Sequence, residues 1–391
     1  MKFFQILLIV TPLLSGCINN AGMGIQTQDE VIPQKTASGQ MNCGDGICNG
    51  PETPDTCPED CQESVPTSSV LSPDTPALYF FYAIHTHGSD EFLPFSDPGQ
   101  TTVDPETADN MIAAIEGIAA ILDRYGIKAS WQFLPAAVKG FYIYQGEDNI
   151  IHQLLESGHE IGVHTHKLGD VEVAYENIQE YIGITPVTSS GFVAQLSKVS
   201  PSESKNAMSF AIDVPVNLGL SVGTVNLSPG GEKNTLSPEC DDVLGIGNDM
   251  WAETGNLMFP WRPDYIHQDP CNHNPIGKML FIDHVSIDWL ILPDKNGPPD
   301  VLDNRHFNQL KGMFDGAVNY MAVHQPKRPA TWGFVTHIIE YSVGGNGENL
   351  PETTALAALD EFLGYVHSKY QAGLVIYATP GEIADIVTAQ E

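Results

Sequence analysis

The tripeptide His-Thr-His occurs twice in this chain, in "YAIHTHGSDEF" as His85–His87 and in "GHEIGVHTHKLGD" as His164–His166. Alternate side chains of a β-strand share a face. Each triplet, placed on a strand, therefore presents two imidazoles on one side. Neutral imidazole is the commonest protein ligand for Zn²⁺ and also suits other first-row metals. The spacing predicts one divalent-metal site, Zn²⁺ first, drawn from His85, His87, His164 and His166. Three protein ligands and an open position would suit catalysis, and four would close the site. Asp90 and Asp170 follow the two triplets and can complete the shell or act as bases. A single histidine at a strand end is more often a hydrogen-bonded core residue; two matched pairs favour the cation.

The elements that must position these residues read as alternating strands and helices. "ALYFFYAIHTH" is an apolar, aromatic-rich stretch of buried-strand type, and "IKASWQFLP" and "HEIGVHTH" are the next strands. Between them, Asp104 and Pro105 open a helix whose stripe is Met111, Ile115, Ile118 and Leu122 and whose stop is Gly126. A shorter helix, "NIIHQLLES", precedes the third strand. Further strands are expected in "SVGTVNL", "GNLMFPW", "KMLFIDH", "TWGFVTH" and "GLVIYA". Helices are expected in "NAMSFAIDVPVNLGL", "RHFNQLKGMFDGAVNYMAVH" and "PETTALAALDEFLGYVHSKY". Thr379, Pro380 and Glu382 form a capping box for a last helix. Seven or eight strands with helices between them predict an α/β fold, an irregular (β/α) barrel over 77–391. Both triplets then stand at the C-terminal ends of strands, where such barrels carry their chemistry.

The rest of the chain reads as an export and tether region. Lys2, the apolar run "FFQILLIVTPLL" and "LLSGC" resemble a bacterial-type lipoprotein signal over 1–17, which implies lipidation of Cys17. Residues 18–42 are a polar stalk and 62–76 a second linker. Between them, "CGDGICNGPETPDTCPEDC" (43–61) is too small for an apolar core and needs crosslinks or a metal. It resembles a short cysteine module of secreted proteins. Cys43, Cys48, Cys57 and Cys61, with Cys240 and Cys271, make an even set suited to disulfides in an oxidising compartment. Asp45, Glu52, Asp55 and Asp60 can offer oxygen ligands to Ca²⁺. The expected location is the extracytoplasmic side of a membrane, held by a lipid anchor only. The 391 residues carry 17 Lys and Arg against 49 Asp and Glu, a net charge of −32. Such a surface repels nucleic acid and favours neutral partners and cations.

Over about residues 77–388, "GIKASWQFLPAA", "NIIHQLLESGHEIGVHTH", "GITPVTSSGFVA" and "GLVIYATPGEIA" resemble the polysaccharide deacetylase (NodB-homology) family, of the glycoside hydrolase/deacetylase barrel type. The resemblance implies an irregular (β/α) barrel, a divalent metal and removal of acetyl groups from sugars. It also implies a proton-donating histidine, matched here by His337 in "GFVTHIIEY". The family's first motif has two aspartates and a glycine where this chain has Thr86, His87 and Gly88. Asp90 can supply a displaced general base. Its second motif has two histidines four apart; His164 matches the first, Leu168 takes the second place, and His166 can substitute. Val193 stands near the place of the family's arginine. His284 with Asp283 is a further candidate, and Trp131, Trp261, Trp289 and Trp332 are candidate sugar-stacking residues.

The leading expectation is a metal-dependent hydrolase, deacetylase-like, acting on C–N or ester bonds of a polysaccharide. Two alternatives stand beside it. "HTHGSD" also resembles the first strand of phosphoesterases of the polymerase-and-histidinol-phosphatase type. The missing aspartates and arginine suit a glycan-binding surface lipoprotein without catalysis.

Overall fold

The computed structural model describes residues 78–86, 103–165, 170–191, 212–225, 256, 258–264, 269–287, 302, 304–341 and 352–391. In chain order the elements are β1 (Leu78–Thr86), α1 (Pro105–Tyr125), β2 (Ser130–Phe133), α2 (Pro135–Gln145), α3 (Ile150–Glu156), β3 (Glu160–His164), α4 (Asp170–Ile182), β4 (Thr188–Ser190) and β5 (Val222–Val225). There follow β6 (Pro263–Asp264), β7 (Asp269–His273), β8 (Leu280–Asp283), β9 (Val285–Ser286), α5 (Asn304–His324), β10 (Ala330–His337), α6 (Glu352–Gln371), β11 (Val375–Tyr377) and α7 (Pro380–Gln390). No described helix is long and apolar enough to cross a membrane.

The main sheet runs β8-β5-β4-β3-β2-β1-β10-β9, with β11 also paired to β1. All these pairs are parallel. Its two edge strands, β8 and β9, are consecutive in the chain and separated only by His284, whose N–H donates to Val225 O at 3.0 Å. One short run of backbone therefore brings the two edges of the sheet together. The result is a nearly closed, irregular (β/α) barrel with helices outside, as expected. β6 and β7 form a separate antiparallel hairpin.

Strand β1 reads as almost unbroken apolar sequence because both its faces are covered, as parallel strands require. Leu78, Phe80, Tyr82 and Ile84 join the large outer core with Met111, Ile115, Ile118 and Leu122 of α1. Phe81, on the other face, joins the barrel interior with Val222, Leu280 and Ile282. Gly333 of β10 pairs with Phe81, and a Cβ on Gly333 would lie 2.4 Å from the Phe81 ring. The absent side chain is what lets the aromatic ring fill the barrel at that level. Ile383, Ala384 and Val387 of α7 pack into the same inner cluster. Glu160, the first residue of β3, accepts from Gly381 N at 2.7 Å. The last helix thus plugs the barrel at the N-terminal ends of its strands, and the opposite mouth is left for chemistry.

Several local expectations hold at atomic detail. Asp104 caps α1 by accepting from Thr107 N at 3.0 Å, and Gly126 ends it in the left-handed region. Thr379 and Glu382 make the reciprocal capping box of α7. Other expectations change. Among the described residues of "GNLMFPW", 256 and 258–261, none lies in a strand, and Trp261 forms an isolated bridge to Phe281. The helix expected across 206–220 is described over 212–218. Helices α2 and α4, strand β4 and the β6–β7 hairpin are additions to the sequence reading.

Candidate active site

The parallel register aligns His85 of β1 with His337 of β10, four residues beyond the Phe81–Gly333 pair. Both side chains therefore stand on the interior face, at the C-terminal end of the barrel. His164 ends β3, on the far side of β2. The imidazoles of the three strands meet. The rings of His85 and His164 stack with centroids 3.9 Å apart and 24° between planes. His85 Nδ1 lies 3.3 Å from His337 Nε2, with ring centroids 5.0 Å apart. His284, at the junction of β8 and β9, comes edge-on to His85 at 6.2 Å. All four are buried: His85 6 %, His164 1 %, His284 2 % and His337 7 % exposed.

Two of the rings are held by partners outside the cluster. His164 Nδ1 is 2.6 Å from Ser190 Oγ, at the end of β4. His337 Nδ1 is 3.2 Å from Glu340 Oε1, and the His337 backbone N–H donates to Glu340 Oε2 at 2.9 Å. Beside the imidazoles, Gln132, paired in register with His85, donates from Nε2 to Thr224 Oγ1 at 3.0 Å. Behind β10, on its outer face, Tyr82 and Tyr341 are buried together with their hydroxyls 3.3 Å apart, and burial raises both phenol pKa values.

His85 meets both His164 and His337, which brings together histidines that stand at three separate strand ends. His87, His166 and Asp90 lie outside the described residues, as do Gly88, Leu168, Val193 and Trp289. So do Cys17, Cys43, Cys48, Cys57, Cys61, Cys240, Asp45, Glu52, Asp55 and Asp60; Cys271 falls in β7, and its side chain is outside the description. Thr86, which stands in the place of a family aspartate, uses its hydroxyl on the backbone: it donates to Gln132 O at 3.1 Å and accepts from Leu134 N at 3.3 Å. Asp170 opens α4. Trp131, Trp261 and Trp332 are fully buried. They are core residues, which corrects their listing as sugar-stacking candidates: an aromatic face must be open to stack on a ring. Asp283 is likewise buried in β8.

Ser190 and Glu340 were absent from the sequence reading. Glu340 carried a signal, since a carboxylate three residues after a strand-end histidine can fold back on it. Ser190 carried none, because its contact with His164 is made across two strands.

The donor chemistry suits a divalent cation: clustered imidazoles with one ring nitrogen already held by a hydrogen-bonding partner are the usual arrangement of metal-site histidines. Among the described residues, no group of three or more His, Cys, Asp and Glu side chains is arranged to hold a metal ion. A cation held by His85 and His164 would need a third donor, and the segments that follow them in sequence contain His87, Asp90 and His166.

No family model matches the sequence, and no curated protein is similar to it. Solved structures are similar in fold. One, assigned as a polysaccharide deacetylase from Mycobacterium smegmatis, is 14 % identical, with a TM-score of 0.50 over 82 % of this chain and 93 % of that one. Another, the Puue allantoinase, is 14 % identical, with a TM-score of 0.52 over 83 % of this chain and 95 % of that one. At such identity the likeness is one of fold, and it agrees with the parallel barrel. The chain folds as a divergent barrel of the polysaccharide deacetylase type.

Proposed function

We propose that the protein is a metal-dependent hydrolase that removes acyl groups, acetyl first, from an extracellular polysaccharide. The observation that carries this reading is the meeting of His85, His164 and His337, from three different strands, in the mouth of a barrel whose other end is plugged. His85 and His164 would hold the cation, with His87, His166 or Asp90 completing its shell. A divalent cation there supplies Lewis acidity toward an acyl oxygen and toward water. His164 is oriented for this by Ser190. Asp90 would take a proton from the attacking water, and His337 would hand one to the leaving sugar nitrogen or oxygen. The apolar plug formed by Phe81, Leu280, Ile282 and α7 keeps bulk water from entering behind the imidazoles. The names of the fold relatives support hydrolysis without choosing a substrate, since one is a polysaccharide deacetylase and the other an allantoinase.

Export, a lipid anchor at Cys17, disulfides among the remaining cysteines and Ca²⁺ in the 43–61 module belong to the same proposal and rest on sequence alone. They would place the barrel where polysaccharide is met. The net charge of −32 supports a neutral or cationic glycan over nucleic acid.

The test is acetate release from N- and O-acetylated polysaccharides by the full chain supplied with Zn²⁺, Mn²⁺ or Co²⁺. Release should fall by about 100-fold or more in His337→Ala, the usual scale for losing a positioned acid. It should fall with bound metal in His85→Ala and His164→Ala. Hydrolysis of phosphate esters without acetate release would make the protein a phosphoesterase. Tight glycan binding with no turnover, unchanged by a chelator, would make it a binding protein.

A further inference from the structure

We propose that Glu340 is a positioning residue that fixes the ring orientation and tautomer of His337, keeping the hydrogen of the neutral imidazole on Nδ1. What the ring then does rests on the hydrolase reading above; how it is held does not.

β10 ends at His337, and the chain enters a short 3₁₀ turn at once, Ile338–Tyr341. Glu340 folds back over the start of that turn. Its Oε2 accepts the His337 backbone N–H at 2.9 Å, and its Oε1 lies 3.2 Å from Nδ1 of the same residue. The two side chains are 9 % and 10 % exposed, so water competes little for either bond. An ionised carboxylate only accepts, and a neutral imidazole carries one N–H. Nδ1 must therefore hold that hydrogen whether the ring is neutral or protonated. The lone pair of the neutral ring is then on Nε2, and Nε2 is the nitrogen 3.3 Å from His85 Nδ1. Without Glu340 the neutral ring is free to keep its hydrogen on Nε2 and expose a useless lone pair on Nδ1.

The competing account is that Glu340 only closes the turn, as the third residue of a capping box does for the backbone N–H before it. That role needs one carboxylate oxygen. Here each of the two oxygens faces a different N–H of His337. Glutamine has a single acceptor oxygen and turns an NH₂ toward the second N–H, so it serves the turn but not both bonds.

The experiment is ¹⁵N NMR of the full chain labelled at histidine, with the His337 signals assigned by their loss in His337→Asn. In the native chain neutral His337 should be the Nδ1–H tautomer, with a lone pair on Nε2. In Glu340→Gln and Glu340→Ala the Nε2–H tautomer should become the majority form, with circular dichroism retained. A native His337 already in the Nε2–H form overturns the proposal, as does an unchanged tautomer in a folded variant. Should the alanine variant unfold, the native spectrum and the glutamine variant still decide. A tautomer shift in a protein that releases no acetate would sink the hydrolase reading and leave the role of Glu340 standing.

Discussion

The histidines of this chain differ in what their neighbours do to them. His159, one residue before β3, is buried at 3 % exposure and accepts the Ala129 N–H on Nδ1 at 3.1 Å. Burial, with Lys128 nearby, lowers its pKa to about 4, and Asp123 at 3.9 Å from Nε2 opposes the shift weakly. Its folded pKa is below the unfolded value, so the stability it contributes is present above pH 6.5 and is lost as pH falls toward 4. A shift of that size is worth about 3 kcal/mol across the window. Urea unfolding of the native chain should weaken across that range. The His159→Asn chain, whose Oδ1 can take the Ala129 N–H, should show a flatter profile. Equal pH slopes for the two chains would remove His159 as the cause. His85, His164 and His337 are buried to a similar degree but cluster around His85 with polar partners, so the proposed chemistry falls to them while His159 serves packing.

Among the elements, α7 depends on a residue that belongs to another strand. Glu160 receives the Gly381 N–H at the start of that helix, where a negative charge is favoured by the helix dipole. Burial nonetheless pushes its pKa up, against the opposing pull of Ser130, Gly381, Thr188 and Thr379. A carboxylate with a raised folded pKa contributes stability that is present below its unfolded value and lost as pH rises through the folded one. Glu160→Gln keeps an acceptor for Gly381 and removes the buried charge. The variant should melt higher than the native chain at pH 7, with the gap closing near pH 4; a lower melting temperature at pH 7 would show that the charge on the helix terminus outweighs its burial. Strand β1, the α1 cap and the α7 capping box were legible because each is a local pattern. Helix α4 carries a local pattern too, with Val171, Ala174, Tyr175, Ile178 and Ile182 on one face. Helix α2 does not: Gly140 interrupts it, and a Cβ there would lie 2.5 Å from Val103 Cγ2, a contact made across the fold.

At the scale of the molecule, the curvature of the sheet is what brings His85, His164 and His337 together from three strands. β1 and β3 are neighbours of β2, and β10 reaches β1 from the other side. A cation shared by residues from β1 and β3 would tie non-adjacent strands together and bind only the folded chain, so it should add stability in proportion to the logarithm of its free concentration. Stripping the protein with a chelator should lower its melting temperature, and Zn²⁺ should restore it. His85→Ala and His164→Ala should melt alike with and without the metal. If those variants still respond as the native chain does, the cation sits elsewhere, and the 43–61 module becomes the place to look.

That β1, β2, β3 and β10 are strands, the face shared by alternate residues, and the fall of His85, His164 and His337 at strand ends were all determined by the sequence itself. Each depends on spacing along one short segment, and periods of two and of about 3.6 residues are written in the chain. Which histidines meet was decided only by the tertiary structure. Register between β1 and β10, the stacking of rings across β2, and the roles of Ser190 and Glu340 depend on how distant segments pack, and hydrophobic patterning says which face is buried without saying against what. The buried tryptophans make the same point: their type suggested a sugar platform, and the packing of helices against the sheet closed their faces.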